Sequence, residues 1–253
     1  SYVVFGKGAA SGGFPSAINL STLTGGNGFR LDGVAAGDGS GFFLAGAGDV
    51  NGDGFADVII GATGADPNAE AGAGSSYVVF GRASGFASAI TLSALNGGNG
   101  FRLDGAAAND FSGYSVAGAG DVNSDGFADV MVGAPAADPN GLFGAGSSYV
   151  VFGRGPASGG FPAILDLAAL DGVDGFRLDG VKAGDDSGNS VAGAGDVNGD
   201  GFADMIIGAR YADPNAQVFA GSSFVVFGKA SGAGGFASAV ELGSLDGITG
   251  FRL

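Results

Sequence analysis

The sequence contains no cysteine and no histidine. The first absence excludes disulfides and thiolate metal sites, and leaves the redox compartment unreadable. The second removes the commonest general base and the commonest transition-metal ligand. Basic residues are few, 10 Lys and Arg against 25 Asp and Glu, and the net charge of −15 gives a field that repels nucleic acid and anionic membrane surfaces. Cations are the natural counterpart. No apolar run reaches the roughly 18 residues of a membrane span, so direct membrane insertion is not expected. Nor does a basic segment followed by an apolar one open the chain as a signal peptide would. The chain opens instead in the middle of a repeat, and the expectation is a longer precursor that carries its signals elsewhere.

Glycine, by contrast, is abundant, at 55 of 253 residues. It follows no three-residue period and proline is only 7, which excludes collagen and points to a turn-dense β architecture. A hydrophobic content of 45% is enough to bury a core, in one large or two ordinary domains.

Internal repeats set the organisation. "SYVVFG" begins at Ser1, Ser76 and Ser148 and returns as "SFVVFG" at Ser223. "GFRL" follows each, at Gly28, Gly100, Gly175 and Gly250. Between the two lies a pattern of apolar, any, Leu, any, any, Leu, starting at Ile18, Ile90, Leu165 and Val240. Within one unit the pattern predicts four strands: "SVAGAGDV" from Ser115, with small residues that let backbones approach; "ADVMVGA"; "SSYVVFG"; and "GFRLDG", with Phe and Leu on one face and Arg on the other. The Leu-rich segment fits neither period and reads as a connector with a short extended piece.

Four short strands form one antiparallel sheet that cannot bury both faces alone, and radial stacking covers them. The fold class expected is all-β, a β-propeller built of four-stranded antiparallel blades. The units are a half blade at residues 1–31 (strands three and four), then blades at 32–103, 104–178 and 179–253, all one repeat domain. A propeller of three and a half blades is short. Either this is a partial ring, or the missing edge comes from another chain or from a segment outside the sequence.

A third landmark occurs three times: "DVNGDGFAD" from Asp49, "DVNSDGFAD" from Asp121 and "DVNGDGFAD" from Asp196. Oxygen donors fall at positions one, three, five and nine, and the glycine at six permits a sharp turn. Such hard-oxygen sets suit Ca²⁺, which takes about 6 to 8 oxygen ligands, better than the smaller octahedral Mg²⁺. The expected ligands are Asp49, Asn51, Asp53, the Phe55 carbonyl and Asp57; Asp121, Asn123, Asp125, the Phe127 carbonyl and Asp129; and Asp196, Asn198, Asp200, the Phe202 carbonyl and Asp204. An EF-hand would close with Glu at position twelve between helices, whereas here position twelve is Ile60, Val132 or Ile207 in a predicted strand. The competing reading is a metal-free polar turn in which Asp and Asn cap their own backbone. Nine of the 25 acids lie in these loops, and three Ca²⁺ ions would add six positive charges to −15, leaving −9. Without metal each loop sets three carboxylates against one another.

The stretch Asp110 to Gly141, followed by "SSYVVFG", resembles the FG-GAP repeat of integrin α-subunit β-propellers and of long arrays in bacterial surface and secreted proteins. The likeness covers essentially the whole chain. Its end motifs depart from the pattern: "GAP" occurs at Gly133 to Pro135, but "GAT" at Gly61 and "GAR" at Gly208, and the Phe-Gly pair is replaced by "SGF", "SGY" and "SGN". The resemblance implies an extracellular, secreted or surface-attached blade array with Ca²⁺ in the hairpin between its first two strands, used for adhesion or assembly and not for chemistry. The partner it implies is a protein or carbohydrate at a cell surface. Two alternatives stay open: an accessory propeller of a secreted hydrolase or lyase, and a self-assembling filament or surface-layer subunit completed by neighbouring strands.

Three further features are repeated. "ADPN" at Ala65, Ala137 and Ala212 reads as a turn. Arg30, Arg102 and Arg177 each stand two residues before an aspartate and suggest ion pairs between blades. The Phe residues of "VVFG" and "GFRL" read as core. No nucleophile and base constellation stands out, and glycine stretches such as "AGAGD" lack the Lys-Ser/Thr of a phosphate-binding loop. The expectation is a protein that is not an enzyme.

Overall fold

The computed structural model describes residues 1–8, 12–230 and 235–253. The connectors of the first and last units, and so the half blade at 1–31 and the blade at 179–253, contain the two gaps; what was expected of residues 9–11 and 231–234 lies outside the described residues. Among the described residues seventeen strands follow in chain order: β1 (Tyr2–Val4), β2 (Gly28–Asp32), β3 (Leu44–Gly48), β4 (Asp57–Ala62), β5 (Ser75–Val79), β6 (Ala89–Thr91), β7 (Gly100–Asp104), β8 (Ser115–Gly120), β9 (Asp129–Ala134), β10 (Ser147–Val151), β11 (Ile164–Asp166), β12 (Gly175–Asp179), β13 (Ser187–Gly195), β14 (Asp204–Ala209), β15 (Ser222–Val226), β16 (Ala239–Glu241) and β17 (Gly250–Arg252). Helical structure among the described residues is confined to three-residue 3₁₀ turns.

The strands form four sheets, stacked in sequence order as the blades of an open β-propeller. The first holds β1, β2 and β6, the second β3, β4, β5, β7 and β11, the third β8, β9, β10, β12 and β16, and the last β13, β14, β15 and β17. Each complete blade is an antiparallel meander, as the four predicted strands require.

The connector departs from the expectation of four-stranded blades. Its extended piece leaves its own blade and pairs in parallel with the last strand of the blade before: Arg30 with Ala89, Arg102 with Ile164, and Arg177 with Ala239. The middle blades therefore have five strands. The leucines explain the detour. In a 3₁₀ turn the first Leu of the pattern drops into the seam between two blades, so Leu92, Leu167 and Leu242 are buried.

Period-two alternation lets one strand serve two seams. In β5, Tyr77 and Val79 face the first sheet while Val78 faces the third. Phe101 and Leu103 of β7 join Val78 in that second seam, and a third seam holds Phe176, Leu178, Met205 and Ile207. Of the Phe residues expected in the core, Phe29, Phe80, Phe101, Phe152 and Phe176 are buried, while Phe5, Phe227 and Phe251, in the first and last units, are half-buried. The innermost strands approach through glycine. A Cβ on Gly118 would stand 2.9 Å from the Gly46 carbonyl oxygen, and one on Gly193 the same distance from that of Gly118.

Candidate metal-binding loops

Each acidic loop closes the hairpin between the first two strands of a complete blade, linking β3 to β4, β8 to β9 and β13 to β14. A register shift precedes each loop, between Gly46 and Gly48, Gly118 and Gly120, and Gly193 and Gly195. The bulge turns the strand into the loop. Gly120 must be glycine twice over: its φ is +81°, and a Cβ would lie 2.7 Å from the Cβ of Ala203 in the next loop.

Position one holds the turn. Asp49 Oδ1 accepts hydrogen bonds from the N–H groups of Gly52 (2.8 Å) and Asp53 (3.1 Å), and its Oδ2 accepts from Gly54 N–H (2.8 Å). Asn51 Oδ1 accepts from Asp53 N–H, and Asp53 Oδ1 accepts from Phe55 N–H. Asp196, Asn198 and Asp200 repeat all of these contacts, and Asp121, Asn123 and Asp125 repeat all but the position-four N–H.

Position nine is a backbone clamp. The buried Asp57 accepts from Val50 N–H at 2.8 Å and from Gly81 N–H at 2.7 Å, tying the loop to the end of β5. Asp129 does the same with Val122 and Gly153, and Asp204 with Val197 and Gly228. Burial pushes the Asp57 carboxyl up to about 6 and that of Asp129 to about 8. The two amide hydrogen bonds pull each down in part, and the other two carboxylates of the loop add to the rise.

The loops also hold one another, which sequence reasoning missed. The Asp49 carbonyl accepts from Ala128 N–H (3.0 Å) and the Val50 carbonyl from Arg154 N–H (3.0 Å). One blade further on, Asp121 and Val122 accept from Ala203 (3.1 Å) and Lys229 (2.9 Å). A signal was present in the alanine that recurs at position eight, Ala56, Ala128 and Ala203. The Cβ of Ala128 and of Ala203 lies against Gly48 and Gly120, at the entry to the preceding loop, where an added Cβ would stand 2.5 and 2.7 Å away.

Twelve of the fifteen expected ligand residues lie in the three loops, and Asp57, Asp129 and Asp204 open β4, β9 and β14 directly after them. Their chemistry fits a hard cation: the donors are oxygen throughout, and a carboxylate oxygen that accepts one N–H keeps a second lone pair. As the side chains lie, they fold onto loop amides, and among the described residues no group of three or more acidic side chains stands close enough to hold a metal ion.

The other repeated motifs resolve as structure. Each "ADPN" is a turn with Asn68, Asn140 or Asn215 in the left-handed region, and Asp66, Asp138 and Asp213 each accept a backbone N–H six residues on. The arginine pairs do not cross between blades. Arg30 meets Asp32 at 2.6 and 2.8 Å, Arg102 meets Asp104 at 2.7 Å, and Arg177 meets Asp179 at 2.5 and 2.7 Å. Residues i and i+2 share one face of a strand, so the guanidinium finds its own strand's carboxylate first.

Stacked sheets with a repeated acidic hairpin define a repeat protein of the propeller class. The family model described as FG-GAP repeat matches residues 41–79, 112–151 and 187–226, so the chain carries three FG-GAP repeats. Its similar curated proteins include integrin alpha pat-2 of Caenorhabditis briggsae, 35% identical over 116 residues, and that of Caenorhabditis elegans, 34% identical. They also include phosphatidylinositol-glycan-specific phospholipase D of Mus musculus, 32% identical over 113 residues. Each match covers 44% of this chain but only 9% of the integrins and 12% of the phospholipase, so the chain spans a small part of these relatives. No helix among the described residues is long and apolar enough to cross a membrane.

Proposed function

We propose that this chain is a calcium-stabilised, non-catalytic module of a secreted or surface-attached protein, and that it works in adhesion or extracellular assembly. The observation that supports it is the full set of loop oxygens, present three times on the hairpins through which neighbouring blades are bonded. Asp49, Asn51, Asp53, the Phe55 carbonyl and Asp57, with their equivalents, would hold the ion. Bound Ca²⁺ would supply positive charge to three mutually repelling carboxylates and fix one loop shape. The protein's own residues do the rest: position one folds the turn, position nine ties it to the third strand, and the position-one carbonyl joins it to the next blade.

The partner-facing surface on this reading is the rim of loops between the second and third strands, where Phe143, Val218 and Phe219 are exposed. A protein or a carbohydrate at a cell surface suits such aromatic tips. The likeness to phospholipase D relatives favours one second arrangement, in which the same blades accompany a catalytic domain.

Thermal melts in calcium and in chelator test the proposal. The melting point should rise with Ca²⁺, and the rise should shrink in Asp125→Asn. An identical melt in both conditions would contradict it.

A further inference from the structure

Six asparagines stand directly before glycine: Asn27, Asn51, Asn96, Asn99, Asn140 and Asn198. An asparagine so placed is open to attack by its neighbour's backbone nitrogen, because glycine has no Cβ to shield it. Folding treats the six differently. The Gly97 N–H is held by the Gly100 carbonyl (2.8 Å) and the Gly141 N–H by the Asp138 carbonyl (3.1 Å), while Gly28 and Gly100 are buried where β2 and β7 begin. Gly52 and Gly199 are exposed, and their N–H groups meet carboxylates instead: Asp49 Oδ1 at 2.8 Å and Asp196 Oδ1 at 2.7 Å.

The side chain under attack is held as well. Asn51 Oδ1 accepts the Asp53 N–H at 3.0 Å, and its Nδ2 donates to Asp53 Oδ2 at 3.0 Å. Asn198 makes the same two contacts with Asp200, at 2.9 and 2.8 Å. The middle loop is a built-in control. Asn123 keeps both contacts, at 3.0 and 2.9 Å, but it is only 3% exposed and Ser124 follows it. Among the described residues the Ser124 N–H makes no bond to Asp121, whose oxygens take the N–H groups of Asp125 and Gly126.

We propose that Asn51 and Asn198 are sites of self-catalysed deamidation, and that the other four Asn-Gly pairs and Asn123 are protected. The Gly52 nitrogen attacks Asn51 Cγ as the Asp49 carboxylate takes its proton. The Asp53 N–H holds the oxygen on which negative charge develops. The bond from Cγ to Nδ2 then breaks, the proton returns through solvent to the departing nitrogen, and ammonia leaves a five-membered succinimide. Water opens that ring on either side. One opening gives aspartate, which keeps an oxygen at position three and adds a negative charge. The other gives isoaspartate, which draws the side-chain carbon into the main chain and moves Asp53 and Phe55 relative to Asp49. Each event is irreversible, so the first and third loops record time in solution and the middle one does not. The chemistry needs no metal, so it stands or falls apart from the calcium proposal, although it alters the same donor set.

Peptide mass spectrometry of the 253-residue chain, kept in chelator and heavy-oxygen water, tests it. Label should enter residues 51 and 198, as mixed aspartate and isoaspartate, at or above the rate seen there in urea. Asn27, Asn96, Asn99 and Asn140 should fall roughly tenfold or more below their urea rates, and Asn123 should stay unlabelled. Asp49→Asn removes the base and should slow residue 51 to the rate of Asn96, with residue 198 of the same molecule unchanged. Should that variant's loop loosen, seen as faster hydrogen exchange at the Gly54 amide, the comparison of folded parent with urea decides alone. Protection of residues 51 and 198 equal to that of the other four, label at Asn123 at their rate, or an intact Asp49→Asn loop that reacts as fast as the parent would each overturn the proposal.

Discussion

Asp129 carries two loads that substitution can separate. Its carboxylate accepts two buried backbone N–H groups, and it belongs to the proposed metal set. Asp129→Ala strands both donors, and an unsatisfied buried donor costs about 1–3 kcal/mol. Urea unfolding in chelator should show that loss. Asp125→Asn, exposed to solvent and bonded only within its loop, should leave chelator stability nearly unchanged and weaken calcium affinity instead. A pH dependence follows from the same burial. The folded carboxyl of Asp129 titrates at about 8, far above the ordinary carboxylate range, so between the two values the folded state holds the extra proton. Stability in chelator is then full at low pH and falls as pH rises from about 4 towards 8. Calcium, which binds only the deprotonated form, should reverse that slope, and melts across pH with and without the ion would show it.

Connectors and hairpins are where sequence reading and structure part. The antiparallel strands were legible because Tyr77, Val78 and Val79 alternate cleanly and glycine marks their ends. The parallel pairing of β6, β11 and β16 was not. A three-residue strand has no period to read, and its partner lies in the preceding unit. The spacing of the two leucines was the visible trace of that pairing, since it reflects a 3₁₀ turn entering a seam. The acidic hairpins were legible in residue and position, but their bonds to one another run through backbone carbonyls, which sequence does not display. Leu167→Ala should cost about 2–5 kcal/mol in chemical denaturation, as a large-to-small change in a packed seam does. Leu20→Ala, at the equivalent but 40% exposed place, should cost far less.

The whole molecule behaves as a row of blades in which each touches only its neighbours, so stability is a sum of blades and seams. Loop-to-loop hydrogen bonds place the acidic hairpins inside that sum, because Asp49 and Asp121 each hold the next blade through a carbonyl. Ordering one loop should therefore stiffen the following blade, and the three ions should raise the melting point of the row together. Isothermal titration of the chelator-stripped chain with CaCl₂ decides whether that account stands. It predicts heat of binding and a stoichiometry near three per chain; titration without heat, and with no change in melting point, would contradict it.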